Sequence, residues 1–229
     1  MRSSRWDAQG NIYLVVEGEP LTAEQVREAV GDADGILEVL AQRDDWVEIT
    51  IWNPDGSQAE MSGNGTRIAA SWLAERTGAD RVGVQVGERV VAAAIGRDGL
   101  VEQDLGFVKV WEPEEVEGLR LITVDVGNPH AVVEGDPAEL LRIGPLLETH
   151  ARFPNRTNVQ VAKRLGDGVV EARVWERGAG ETASSGSSAV AVAAALDVSP
   201  ATIRFPGGDL HVRLEHGRAF LTGPANRLA

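Results

Sequence analysis

The stretch EMSGNGTRIAASW, residues 60–72, takes a Ser-Gly-Asn-Gly step directly into a helical run that is apolar around most of its circumference. Glycine and asparagine let the backbone turn sharply, and a serine just ahead of a helix accepts a hydrogen bond from one of its first N–H groups. A helix with so little polar face has to be buried. The stretch therefore predicts a central helix wrapped by other structure, with the positive end of its dipole at the Gly-Asn-Gly turn.

A second segment reads the same way. GSSAVAVAAALDV, residues 186–198, is again largely apolar, and Ser185-Gly186-Ser187-Ser188 stands 123 positions after Ser62-Gly63-Asn64-Gly65 in a chain of 229 residues. Each turn follows a strand closed by a polar, acid-bearing loop, TIWNPDGSQAE in the first half and EARVWERGAGET in the second. An internal duplication accounts for both. Two such helices would aim their N-termini at a shared cleft, and that arrangement suits an anion such as a carboxylate or phosphate.

Around these helices the chain is rich in short strands. NIYLVVEG, WVEITIWN, RVGVQVG, ERVVAAAI, LITVDVG, TNVQVAK, GVVEARVWE, TIRFPGG and DLHVRL are β-branched or alternating runs closed by turn residues. TAEQVREAV predicts a helix capped by Thr22, and PAELLRIGPLLETHAR has helical spacing broken at Pro145. The expected fold is α/β: two pseudo-symmetric domains, each a twisted, mainly antiparallel sheet around a central buried helix. We place the domains at residues 1–112 and 113–229, with the last segment, RAFLTGPANRLA, returning to the first.

Composition excludes several functions. A formal net charge of −13 and the lack of a basic run argue against nucleic acid as a partner. The N-terminal apolar run is too short for a secretory signal and no run reaches membrane-spanning length, so the expectation is a cytoplasmic protein with no membrane partner. Zero cysteines remove disulfides and thiol chemistry, and four scattered histidines, at 130, 150, 211 and 216, give a metal little support.

NPDGSQAEMSGNGTR and WERGAGETASSGSSA resemble the two signature segments of the diaminopimelate epimerase family, whose fold is shared with proline racemase and the phenazine-pathway isomerases. GNIYLVVE, GDADGILEV, VGNPHAVV and NRTNVQVAK agree with the family in order and spacing, so the resemblance spans nearly the whole chain. It implies inversion at an amino-acid α-carbon, LL- to meso-diaminopimelate in lysine biosynthesis, with no cofactor and no metal, by a homodimeric enzyme. Carried over by position, Asn11, Asn64, Asn128 and Asn158 would bond the substrate's ammonium and carboxylate groups. Gly63, Asn64, Gly186 and Ser187 would surround the α-carboxylate. Glu176 and Arg177 would recognise charged ends, Arg177 by a fork to a carboxylate. His130 and Glu176 would support ionisation of the catalytic pair.

That pair is where the chain departs from the family. The two catalytic cysteines align with Ser62 and Ser185. An alcohol ionises far above the about 8.5 of a thiol, so an alkoxide costs on the order of 10 kcal/mol more than a thiolate. Helix dipoles return about 1–2 kcal/mol of that. Three accounts stay open: an epimerase whose thiols have been replaced by serine; a divergent isomerase or dehydratase with serine, Glu60 or Glu181 as base; and a non-catalytic binder of a diamino-dicarboxylate or related amino acid.

Overall fold

The computed structural model describes residues 2–229. In chain order the strands are β1 (Arg2–Asp7), β2 (Ile12–Glu17), β3 (Gly35–Gln42), β4 (Trp46–Trp52), β5 (Gln58–Ala59), β6 (Arg81–Val86), β7 (Arg89–Ile95), β8 (Leu100–Phe107), β9 (Lys109–Val110), β10 (Glu114–Val116), β11 (Leu119–Asp125), β12 (Pro129–Glu134), β13 (Asn158–Gly166), β14 (Val169–Glu176), β15 (Gly180–Thr182), β16 (Ala201–Phe205), β17 (Gly208–Glu215), β18 (Arg218–Pro224) and β19 (Asn226–Arg227). The α-helices are α1 (Ala23–Ala29), α2 (Gly63–Thr77), α3 (Leu140–Glu148) and α4 (Gly186–Ala195). The chain divides into two compact units, residues through Asp104 with Thr222–Ala229, and Leu105–Leu221.

In the first unit β1 pairs antiparallel with β2, β2 parallel with β3, and β3 antiparallel with β4; β4 then takes β5 antiparallel on the way to a parallel partner, β6. Antiparallel β7 and β8 follow. Parallel neighbours need a crossover, and α1 and α2 supply the two. The second unit repeats the scheme: β11 antiparallel to β12, β12 parallel to β13 across α3, β13 antiparallel to β14, and β14 parallel to β16 across α4. Even the register is duplicated. Trp52 faces Gln58 and Trp175 faces Glu181, the same 123-residue offset that separates Ser62 from Ser185.

The two central helices are buried as their composition requires. Ile68, Ala69, Ala70, Trp72 and Leu73 of α2 pack with Val15, Leu37, Val47, Ile49 and Ile51 of the surrounding strands. Residues 189–193 of α4 are wholly buried. A Cβ at Gly65 would lie 3.0 Å from Leu37 Cδ2 and 3.2 Å from Ser62 Cβ, so glycine lets the first turn of α2 sit close to β3 without displacing Leu37. On the other faces, α1 closes a smaller core through Val26, and α3 closes one through Leu140, Ile143 and Leu147. Thr22 caps α1 in a reciprocal box with Gln25.

Pro145 does not break its helix as the spacing suggested. α3 runs through it, because Pro145 and Leu141, whose carbonyl would have received the missing N–H, both lie on the solvent side. Among the described residues no helix is long and apolar enough to cross a membrane.

Candidate active site

Each unit carries its signature loop on a tryptophan–glutamate anchor, buried in the first unit and half-buried at Trp175 in the second. Trp52 Nε1 donates to Glu38 Oε2 at 2.7 Å, and Leu21 N–H donates to Glu38 Oε1. At the equivalent position Trp175 Nε1 donates to Glu148 Oε2 at 2.8 Å, while Glu148 Oε1 accepts from Gly178 N–H at 2.7 Å and from Arg156. These donors hold the Glu148 carboxyl below its ordinary range against the opposing effect of burial. The loop bearing Glu176 and Arg177 is thus tied down at its far end.

In the first unit, Ser62 is the N-cap of α2 and its Oγ accepts from Gly65 N–H at 2.9 Å. The phenol of Tyr13 lies 3.2 Å from the same Oγ. Asn64 and Asn11 are brought together: Asn64 Nδ2 donates to Asn11 Oδ1 at 3.1 Å, and Arg67 Nη2 donates to Asn64 Oδ1 at 3.0 Å. Arg67 is fully buried, with Nε on the Pro224 carbonyl and no partner for Nη1 among the described residues. Burial pushes its pKa down to about 10, with Asp7 acting in the other direction, so the group stays a cation at neutral pH. The chain Arg67, Asn64, Asn11 fixes which way each amide points: Asn11 has its oxygen occupied and its NH₂ left to donate.

The second unit uses different residues for a similar end. Gln160, fully buried on β13, donates from Nε2 to Ser188 Oγ at 2.9 Å and lies 3.0 Å from His130 Nδ1. His130 Nε2 lies 2.8 Å from Asn128 Oδ1. Because the Gln160 amide is a donor, Nδ1 accepts, the ring proton sits on Nε2, and Asn128 too presents its NH₂. Burial lowers the His130 pKa to about 3, and the Arg177 charge adds to it, so the ring is neutral throughout the physiological range.

Asn158 is spoken for by the main chain, with Nδ2 on the Pro129 carbonyl at 3.0 Å and Oδ1 accepting from Arg177 N–H at 2.9 Å. It ties the 128–130 and 176–178 segments to each other. Glu176 Oε1 accepts from Thr182 at 2.7 Å, and Arg177 lines a cavity of about 490 Å³ with Asn128, His130, Phe153 and Trp111. Ser185 caps α4 in position only: it is buried and its side chain makes no capping bond, while Gly186 and Ser187 form the first turn of the helix.

Of the two carboxylates weighed as bases, Glu181 is held in a fork by Arg173, both bonds at 2.7 Å, and Glu60 is exposed. Among the described residues no cluster of three metal-ligating side chains exists. Tyr13, Arg67, Gln160 and Glu148 are the members that the sequence reading missed. Tyr13 carried a signal, since it is the one tyrosine in the chain and stands two residues after Asn11.

Two duplicated α/β units, each with a Ser-Gly turn at the mouth of a buried helix, define the diaminopimelate epimerase-like fold class. The family profile described as Diaminopimelate epimerase matches residues 10–111 and 122–228. The diaminopimelate epimerase of Pelotomaculum thermopropionicum is 35% identical over 230 aligned positions, covering 86% of this chain and 81% of that protein. That of Synechococcus elongatus is 34% identical over 267, covering 98% and 95%. The chain belongs to the diaminopimelate epimerase family, a family of isomerases. A solved structure from Pseudomonas aeruginosa, described as a predicted epimerase, shares the fold at TM-score 0.79 with 18% identity, covering 100% of this chain and 97% of that one. An alignment 267 positions long against 229 residues means that the Synechococcus protein has segments this chain lacks.

Proposed function

We propose that this chain is a cytoplasmic, homodimeric isomerase of diaminopimelate epimerase type that acts without a cofactor on the α-carbon of a diamino-dicarboxylate, with proton transfer slowed by serine at both thiol positions. The observation that carries the reading is the pair of Ser-Gly helix openings, at Ser62 and Ser185, set 123 residues apart on duplicated strands. In this reading each helix opening is an anion-binding turn by itself, with N–H donors from Gly63 and Asn64 at α2 and from Gly186 and Ser187 at α4, suited to a carboxylate or to the charge that develops when an α-proton leaves.

The remaining residues divide by their bonding. Asn11 and Asn128 have occupied oxygens, so each offers an N–H to a carboxylate. Arg177 takes the distal carboxylate and Glu176 an ammonium group. Asn158 holds the Arg177 loop instead of touching the ligand, and neutral His130 orients Asn128 instead of exchanging protons. The ion pair of Glu181 with Arg173 and the exposure of Glu60 weigh against a carboxylate base at either place.

Titration calorimetry with meso- and LL-diaminopimelate tests the reading. Binding at millimolar or tighter Kd is expected, with loss on Arg177→Ala. Failure of every diaminopimelate isomer to bind removes the substrate class, and binding that survives Arg177→Ala removes the assigned contact.

A further inference from the structure

We infer that Tyr13 is the proton-holding partner of Ser62, the pair acting together as one acid/base on the α-carbon; this rests on the isomerase reading above. The Tyr13 phenol lies 3.2 Å from Ser62 Oγ, and that oxygen also accepts from Gly65 N–H at the start of α2. Ser185 has no such bond at the mouth of α4, so the two halves are unlike in the place where proton transfer would occur. The Tyr13 ring is fixed as well as buried. A Cβ at Gly35 would lie 2.7 Å from Tyr13 Cε1, which leaves the ring no room to swing toward β3.

The step balances without any other reactant. Ser62 Oγ takes the Cα proton while its own proton passes to the tyrosinate oxygen; the C–H electron pair stays on carbon, spread into the carboxylate. The reverse transfer returns a proton from the phenol through Ser62. A phenol ionises far more readily than an alcohol, so at a given pH more of the pair stands in its anionic form than of a lone serine.

The charged groups on the elements around Tyr13 are mostly engaged with one another. Of the charged groups on elements packed against Tyr13, Glu17 of β2 pairs with Arg76 of α2, Arg5 of β1 pairs with Asp32, and Glu75 of α2 pairs with Arg227 of β19. On β1, Asp7 accepts from Gly10 N–H and Arg2 is exposed. On β3, Glu38 is held by Trp52 and Leu21. Arg67 of α2 makes no salt bridge among the described residues; its guanidinium is held by the Pro224 carbonyl and Asn64 Oδ1 and feels the charge of Asp7.

A single tyrosine makes the test clean. Deuterium incorporation at Cα of meso-diaminopimelate is followed by NMR in heavy water across pH, for the wild-type chain, for Tyr13→Phe, and for protein carrying 3,5-difluorotyrosine. Slow exchange with a rate that rises through the tyrosinate titration is expected. Tyr13→Phe should lower the rate at least a hundredfold, and fluorination should move the basic limb to lower pH. An unchanged rate in Tyr13→Phe, or a limb that fluorination leaves in place, overturns the inference. So does a wild-type chain that binds diaminopimelate by calorimetry yet never exchanges it, a result that leaves the binding part of the proposed function standing.

Discussion

Acid should weaken the second unit through His130. The ring is fully buried with both nitrogens engaged, and its pKa falls from 6.5 to about 3 on folding. Between those values the unfolded chain binds a proton that the folded chain excludes. The stabilisation tied to a neutral ring is therefore complete above pH 6.5 and is lost as the pH falls toward 3. At 1.36 kcal/mol per pH unit this removes about 2 kcal/mol between pH 7 and pH 5. Urea denaturation at those two pH values, on the wild-type chain and on His130→Gln, isolates the effect from other titrating groups. The wild type should lose about 2 kcal/mol more than the variant over the interval. Parallel losses would mean that the ring titrates near its ordinary value, and the assignment of a fixed neutral tautomer orienting Asn128 would fall with it.

Two further substitutions probe the supports of the site. Arg67→Met should raise the Kd for diaminopimelate about tenfold, because Asn64 loses the donor that orients its amide; Arg67→Lys should fall between, since an ammonium cannot reach both Asn64 and Pro224 as the guanidinium does. Calorimetry that finds both variants binding like wild type counts against the Arg67–Asn64–Asn11 chain. Glu148→Gln replaces a carboxylate that accepts from Gly178, Trp175 and Arg156, and should cost about 2–3 kcal/mol in denaturant while speeding hydrogen exchange at the Gly178 amide. Unchanged protection at Gly178 would show that the loop is held by other contacts.

Much of the architecture was legible because it follows from period and burial. Alternating runs such as WVEITIWN allow only a half-buried strand, and a run such as AVAVAAAL has no polar face to leave in water. β1, RSSRWD, was not read as a strand, since its serines and arginines carry no alternation; it forms because β2 gives it six antiparallel partners. Pro145 misled because a local rule met a solvent-facing carbonyl that water can satisfy. The duplication was visible at Ser62 and Ser185, and the strand registers around Trp52 and Trp175 extend it.

The site was legible in residue identity and illegible in direction. Nothing near Asn158 in sequence says that its amide is used up by Pro129 and Arg177, 29 and 19 residues away. Gln160 and Arg67 sit inside a strand and a helix where a sequence reading expects packing, and their partners emerge only once β12, α4 and the last residues of the first unit are in place. Tyr13 reads as one more aromatic on an apolar strand until α2 brings Ser62 to its hydroxyl.

The central claim is that the recognition machinery is intact and that serine at the two thiol positions limits the chemistry. The direct measurement is the rate of LL- to meso-diaminopimelate conversion by the double variant Ser62→Cys with Ser185→Cys, compared with the wild-type chain at the same pH. The account predicts that the variant epimerises at least a thousandfold faster, since a thiolate is accessible near neutral pH and an alkoxide is not. A folded double variant that binds diaminopimelate yet converts it no faster than the wild type would contradict it.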